Sequence, residues 1–295
     1  MHVTMLGTAA ALPDPDRCHT AILLTLDSGR TVMLDCGHGA TRRMIQANVN
    51  PADVDTVLIT HLHHDHISDL PFFLLESWIL NRKGRPTIVG PKGIEHFVSR
   101  SLEAFDVDIR ARSKYPARKA NFEAIQPMVR EYEAGEILHD GDLSVTALEV
   151  KHIPTEVTHC YGFRIEADGK IVTFSGDTEP CENIGRLARN ADLLIHECTF
   201  PEVMIAHRLK SGVGTAAHTS PTELGQLASV AQVKSLVATH FGHFDSLSPV
   251  LKRAAGKHLR VELMGPHLLD EVAADIRKNY KGSLHLARDL MRIDL

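Results

Sequence analysis

Long apolar runs are missing from this 295-residue chain, and none approaches the ~20 residues that a membrane span requires. Cysteine is scarce: Cys18, Cys36, Cys160, Cys181 and Cys198 are odd in number and widely spaced, with no Cys-x-x-Cys pair. That argues against a disulfide framework or a structural zinc ribbon and for reduced thiols in a cytoplasmic setting. The run Met1 to Gly7 enters a strand-like segment without a charged n-region or a cleavable apolar stretch, so no secretion signal is expected. No Ser/Gly/Pro-rich linker, low-complexity tract or repeat divides the chain, which reads as one domain over 1–295. An excess of charge is missing too: the net −5 gives no global attraction to nucleic acid or anionic lipid and leaves only a local basic patch to consider. With 43% hydrophobic residues the chain can bury a sizeable core.

Histidine, by contrast, is plentiful and concentrated. The run His61-Leu62-His63-His64-Asp65-His66 follows the apolar Val57-Leu58-Ile59, a pattern that predicts a strand ending in a turn crowded with metal donors. Neutral imidazole and carboxylate are ligands that zinc favours, and so many within six residues need no long-range loop closure. His64 is expected to face away from its neighbours. Other strands are predicted at Val3 to Leu6, Ala21 to Leu26, Thr31 to Asp35, Leu143 to Val150, Tyr161 to Ile165 and Ile171 to Ser175, with hairpin turns at Asp27-Ser28-Gly29-Arg30 and Ala167-Asp168-Gly169-Lys170. Leu70 to Leu80 reads as a core helix or one wall of a pocket. Ser220-Pro221-Thr222-Glu223 carries a capping box ahead of a helical face. Strands and helices in two successive halves suggest an α/β protein with two sheets face to face and helices outside.

A dinuclear centre takes roughly seven protein donors, so the cluster implies at least three more from distant strands. Asp177, in Ser175-Gly176-Asp177-Thr178, follows a strand and has the carboxylate a bridging ligand needs; its alternative is a turn aspartate. His240 ends the run Leu236-Val237-Ala238-Thr239. His152 follows Val150-Lys151, and His159 seven residues on is the competing candidate.

Taken in order, Leu34-Asp35-Cys36-Gly37, the histidine cluster, His152, Tyr161-Gly162-Phe163-Arg164, Ser175-Gly176-Asp177-Thr178, Ile195-His196-Glu197-Cys198-Thr199, His218-Thr219-Ser220-Pro221 and Thr239-His240 resemble the metallo-β-lactamase superfamily. Within it they resemble the branch of ribonuclease Z and the arylsulfatase-like hydrolases. The resemblance runs over nearly the whole chain and implies a four-layer αβ/βα sandwich holding two divalent ions, Zn2+ first, with Mn2+ or Fe2+ as alternatives. His61, His63 and His152 would hold one ion, Asp65, His66 and His240 the other, and Asp177 would bridge. Lactam-hydrolysing members lack the bridging carboxylate, flavodiiron oxidases have a glutamate at the position of His63, and β-CASP nucleases need a large insertion where only 62 residues separate Asp177 from His240.

The resemblance further implies a water between the ions, acidified towards neutrality, as the attacking hydroxide. Asp65, His218 and Glu197 form the candidate catalytic group, with His218 as proton donor tuned by Glu197, as in ribonuclease Z. The alternative on their residues alone is that His218 is a helix-start residue next to Ser220 and Glu197 a buried salt-bridge partner. Asp35 is expected to hold a ligand imidazole, with Gly37 and Gly39 giving tight backbone beside it. No Gly/Pro-containing arm like that of ribonuclease Z is visible between Gly93 and Asp142. There the basic run Arg110, Arg112, Lys114, Arg118 and Lys119 reads as an anion binder or a solvated surface. The pattern Tyr280-Lys281-Gly282 through Asp289-Leu290 resembles the arylsulfatase-like group. These features favour a small anionic ester as substrate, phosphodiester ahead of sulfate ester or lactone, over tRNA 3′-end cleavage. An iron-dependent oxidoreductase on the same ligands is the reading of another class. A homodimer is expected from the family, no membrane partner is, and Phe200 to Ala217 would border the substrate space.

Overall fold

The computed structural model describes residues 1–210, 217–256 and 260–295. Contacts divide the chain into two compact units, each built on one seven-stranded mixed sheet.

The first unit comprises Met1–Gly7, Cys18–Glu133 and Asp289–Asp294. Its elements are β1 (His2–Gly7), β2 (Ala21–Thr25), β3 (Thr31–Cys36), α1 (Ala40–Gln46), β4 (Thr56–Leu58), α2 (His64–Ile67), α3 (Leu70–Ile79), β5 (Thr87–Pro91), α4 (Ile94–Ala104), α5 (Asp106–Arg112), α6 (Pro116–Ala120) and β6 (Met128–Tyr132), completed by a last strand at Arg292–Asp294. That last strand and β1 to β3 pair antiparallel; β3 to β6 run parallel, joined by helical crossovers. Parallel strands must be covered on their faces. The apolar stretch at 70–79 is the helix α3, with Phe73, Leu74 and Trp78 fully buried in the core. Trp78 still finds a partner, donating from Nε1 to Asn121 Oδ1 at 3.2 Å.

Sequence and structure differ at the histidine cluster. The predicted turn is in fact the single helical turn α2, beginning at His64 with His63 in extended conformation before it. The segment is pinned from both sides: Ile59 N donates to Val89 O at 2.9 Å, Tyr132 Oη donates to Ile59 O at 2.8 Å, and Asp69 N donates to Cys36 O at 3.0 Å. Asp69, buried, also accepts from Thr41 N and Thr41 Oγ1, both at 2.7 Å.

The second unit comprises Thr8–Arg17, Ala134–Arg288 and Leu295. It contains β7 (Gly135–Asp140), β8 (Leu143–Val150), β9 (Cys160–Ala167), β10 (Lys170–Phe174), α7 (Glu182–Ala188), β11 (Leu193–Glu197), α8 (Glu202–Lys210), α9 (Pro221–Val230), β12 (Ser235–Thr239), α10 (Pro249–Ala255), α11 (His267–Asn279) and β13 (Ser283–Leu286); the last strand of the first unit is β14. Here β7 to β10 form an antiparallel meander and β10 to β13 run parallel. The capping box opens α9 as the sequence predicts: Ser220 Oγ accepts from Glu223 N and Glu223 reaches back to Ser220 N. The arylsulfatase-like residues do packing work instead. Tyr280 Oη donates to Val233 O at 3.1 Å in this unit. In the first unit Asp289 accepts from Cys18 N at 2.7 Å and pairs with Arg43 at 2.9 Å.

Among the described residues no helix is long and apolar enough to cross a membrane, and the five cysteines form no disulfide. One close approach sets the cluster in place. A Cβ added at Gly37 would fall 2.2 Å from Asp65 O and 2.7 Å from His19 Cβ, inside any allowed contact. Gly37→Ala should therefore lose about 1–3 kcal/mol of stability through overpacking, read as a lower denaturant midpoint, and should weaken metal uptake because the strain falls on the Asp65 backbone.

Candidate metal centre

Every predicted donor sits just beyond the carboxyl end of a strand or in the turn that follows, where open α/β sheets leave room for ligands. In the first unit β3 carries Asp35 next to its last residue and β4 leads into His61 to His66. In the second, β8 leads to His152, β10 to Asp177, β11 ends at Glu197 and β12 leads to His240.

The first unit brings four donors together. His61 Nε2 lies 3.1 Å from His63 Nδ1, and His66 Nε2 lies 3.7 Å from Asp65 Oδ2. Asp35, fully buried and in the left-handed region at φ 55°, accepts from His66 Nδ1 at 2.7 Å, Thr60 N at 2.8 Å and Thr60 Oγ1 at 2.8 Å. Burial pushes its carboxyl up, against the pull of His66 and the Thr60 hydrogen bonds. Its contact fixes the His66 tautomer, with hydrogen on Nδ1 and a lone pair on Nε2. Thr60 Oγ1 lies 3.0 Å from His61 Nδ1 and does the same for that ring. His64 is exposed, as the sequence predicts, with its ring edge-on to His19 at 5.6 Å.

The second unit gathers the rest around Asp177. Gly176, at φ +56°, turns the chain after β10 so that Asp177 leaves the strand. Lys151 bridges Glu179, with Glu179 N donating to Lys151 O at 2.9 Å, which seats His152 beside it. His152 Nε2 is 3.5 Å from Asp177 Oδ2 and His240 Nε2 is 3.2 Å from the same oxygen. His152 Nδ1 contacts Ala217 O at 3.0 Å, and His240 Nδ1 contacts Thr199 Oγ1 at 2.9 Å. Burial pulls the His152 imidazole down towards the neutral form that ligates. His159 separates from this group: it is exposed and bonds Glu149 Oε1 at 2.9 Å.

The donor spacings suit cations. Two zinc bonds of about 2.0–2.1 Å at a tetrahedral angle hold their donor atoms about 3.3 Å apart, and the four pairs lie between 3.1 and 3.7 Å. The imidazoles of His61, His66, His152 and His240 are also each turned by a partner on Nδ1.

Beside Asp177 and His240 lies the pair His218 and Glu197, Nδ1 to Oε1 at 2.9 Å, with His218 stacked on His240 at 5.9 Å between centroids. Burial alone would raise the buried Glu197 carboxyl, but His218 pulls it down. Burial likewise opposes protonation of His218, yet the Glu197 charge and hydrogen bond prevail and raise it to about 9. The sequence reading passed over Thr60 and Thr199, whose hydroxyls orient the rings; Thr199 Oγ1 also donates to Glu197 Oε2 at 2.8 Å. A threonine at a strand end is too ordinary to draw notice, and only its place directly before His61 or two after Glu197 marked it. Of the segment Phe200 to Ala217, residues 211–216 lie outside the described residues.

Residues 1–246 match the family model of the anti-Pycsar protein Apyc1. The chain belongs to the Apyc1 family, within the metallo-β-lactamase superfamily. Ribonuclease Z of Mycobacterium bovis (strain BCG / Pasteur 1173P2) is 31% identical over 301 positions, covering 100% of this chain and 98% of the relative. The fold is shared with the metallo-β-lactamase fold protein YhfI from Bacillus subtilis, at TM-score 0.71 and 20% identity over 99% of this chain and 98% of that one. The short form of human tRNase Z matches at TM-score 0.69 and 22% identity, covering 100% and 99%. The Apyc1-family chain is thus a ribonuclease Z-like, metal-dependent hydrolase acting on ester bonds, an α/β protein of two mixed sheets flanked by helices.

The raised imidazole carries a stability signature. Because its folded value of about 9 exceeds the 6.5 of an ordinary imidazole, the His218–Glu197 pair should stabilise fully below pH 6.5 and lose that contribution as pH rises through about 9. Denaturant unfolding of the metal-free wild type and His218→Asn should differ at pH 6 and converge at pH 9.5.

Proposed function

We propose that the chain hydrolyses phosphodiesters with two divalent cations, zinc first, held by His61, His63 and His152 on one side and Asp65, His66 and His240 on the other, with Asp177 shared. When bound, the ions supply the acidity that activates water and the positive charge that holds phosphate oxygens. The residues do the rest. Asp35, Thr60, Thr199 and Ala217 O keep four imidazoles turned with Nε2 outward. Glu197 keeps a proton on His218, whose Nε2 delivers it to the departing oxygen. The observation that carries this reading is the 2.9 Å contact of His218 with Glu197, a carboxylate-backed imidazole next to the Asp177–His240 pair.

For the substrate, the relatives favour RNA over the small anionic ester to which the sequence features point. A curated relative matched along its whole length is named ribonuclease Z, and a solved neighbour is a tRNase Z. The small ester stays as second reading on one observation: residues 94–120 form the consecutive helices α4, α5 and α6, without the Gly/Pro-containing arm that the resemblance to ribonuclease Z would call for. Their basic run is largely committed within the unit. Arg110 and Arg112 pair with Asp106 and Asp108 at 2.7 and 2.8 Å, and Arg118 donates to Trp78 O and Ile79 O. We read the whole of 1–295 as one hydrolase domain acting in the cytoplasm as a homodimer.

The test is a zinc-loaded enzyme offered a tRNA precursor with a 3′ trailer, bis(p-nitrophenyl) phosphate and p-nitrophenyl sulfate. Cleavage of the precursor at one position supports RNA; turnover of the diester alone supports the small ester; oxygen uptake without hydrolysis contradicts both. Chelation should abolish turnover. His218→Ala should lower kcat by about 10²–10⁴-fold while metal content stays at the wild-type level.

A further inference from the structure

In the second unit α7 and α9 both start beside the metal centre: α7 opens at Glu182, shortly after Asp177, and α9 at Pro221, shortly after His218. A groove of about 1000 Å³ runs between them, walled by Glu182 and Glu223 at the end nearest the donors and by Arg186 and Arg189 beyond. Leu227 packs on Ile184 and Leu187 to make its floor. Among the described residues neither Arg186 nor Arg189 makes an ion pair or a side-chain hydrogen bond, and both are exposed. They are not needed to close α7 either. Leu187 O accepts from Arg164 Nη1 at 3.0 Å and from Thr173 Oγ1 at 2.8 Å, and Arg189 O accepts from Arg164 Nη1 at 2.9 Å.

Resting on the RNA form of the phosphodiester reading above, we propose that this groove carries the substrate backbone away from the metal centre, with Arg186 and Arg189 receiving phosphates several nucleotides from the scissile one. The reach fits. From Glu182 to Arg189 the helix climbs ~10 Å at ~1.5 Å per residue, and phosphates recur every ~3.4 Å of rise along one strand. The planar fork of a guanidinium binds phosphate oxygens through charge-assisted pairs. Glu182 and Glu223 repel the phosphates next to the scissile one, so the strand is held at two places, the centre and the arginines, with a gap between. A small ester is too short to use the second.

Fluorescence titration of the zinc-loaded full chain with dye-labelled, cleavage-resistant 2′-O-methyl phosphorothioate oligouridylates, a dinucleotide and a decamer, tests this by binding alone. The Arg186→Gln, Arg189→Gln double variant should lower the ratio of decamer to dinucleotide affinity about tenfold, the scale of a charge-assisted contact. It should also flatten the slope of log affinity against log salt for the decamer by about 1.4, two phosphates at ~0.7 each. The Arg186→Lys, Arg189→Lys double variant, which keeps both charges, should retain the wild-type slope. Lys170→Gln, at the start of β10 and so at the opposite end of the strands, removes a charge outside the groove and should leave the ratio as it is. A wild type that binds the decamer no more tightly than the dinucleotide, a double glutamine variant with the wild-type ratio and slope, or an equal loss in Lys170→Gln overturns the proposal. Unchanged circular dichroism of the variants separates loss of the contact from loss of fold. Failure of the RNA reading would show separately, as a wild type that leaves the tRNA precursor intact.

Discussion

A free imidazole rotates and can carry hydrogen on either nitrogen, so a histidine-rich turn is a poor metal site until something fixes the rings. Here each of four rings is fixed through Nδ1: His66 by Asp35, His61 by Thr60, His240 by Thr199 and His152 by the Ala217 carbonyl. The remaining nitrogen, Nε2, is thereby aimed and given its lone pair. The rest of the two units can be understood as scaffolding for those four contacts. Asp35 accepts three donors because it lies fully buried at the end of β3. Thr199 reaches both Glu197 and His240 because β11 and β12 run parallel and in register, Glu197 opposite Thr239.

That precision carries a conformational cost. Asp35 at φ 55° and His240 at φ 59° both occupy the left-handed region, where a side chain costs of the order of 1–2 kcal/mol. The strain is retained where the strands end and donors must turn out of the sheet. Hydrogen bonds on both sides hold it: Thr60 N to Asp35 at 2.8 Å in the first unit, Phe241 N to Thr8 O at 2.9 Å in the second. Chemistry and stability thus draw on the same strand ends.

Much of this was legible in the residues because it rests on local pattern. Alternating and continuous apolar runs gave β1 to β4 and β8 to β10 within a residue or two, the serine-glutamate box gave α9, and donors clustered behind apolar strands gave the centre. What escaped was carried by position rather than type. The helical turn α2 is four residues long, too short for a period to show. The sequence prefers His152 to His159, but what seats it, the Lys151–Glu179 bridge, is a non-local pairing that no local pattern shows. Thr60 and Thr199 look like common β-branched strand residues until the rings they touch are placed. The basic run at 110–119 stayed open between anion binder and solvated surface for the same reason, since Arg110 and Arg112 are matched to Asp106 and Asp108 one helical turn away.

The substrate lies one level further out. Ligand chemistry is set by a few atoms at strand ends, whereas recognition of RNA or of a small ester is spread over helices and loops that vary independently of the centre. Relatives sharing the scaffold can therefore carry different names.

The central claim is that Nδ1 partners create the cation sites, and metal stoichiometry and affinity of the wild type beside Asp35→Asn test it most directly. The account predicts two divalent ions per chain in the wild type and about 10–100-fold weaker binding in Asp35→Asn with secondary structure intact. A wild type that binds no divalent metal, or an Asp35→Asn protein that binds both ions as tightly as the wild type, would contradict it.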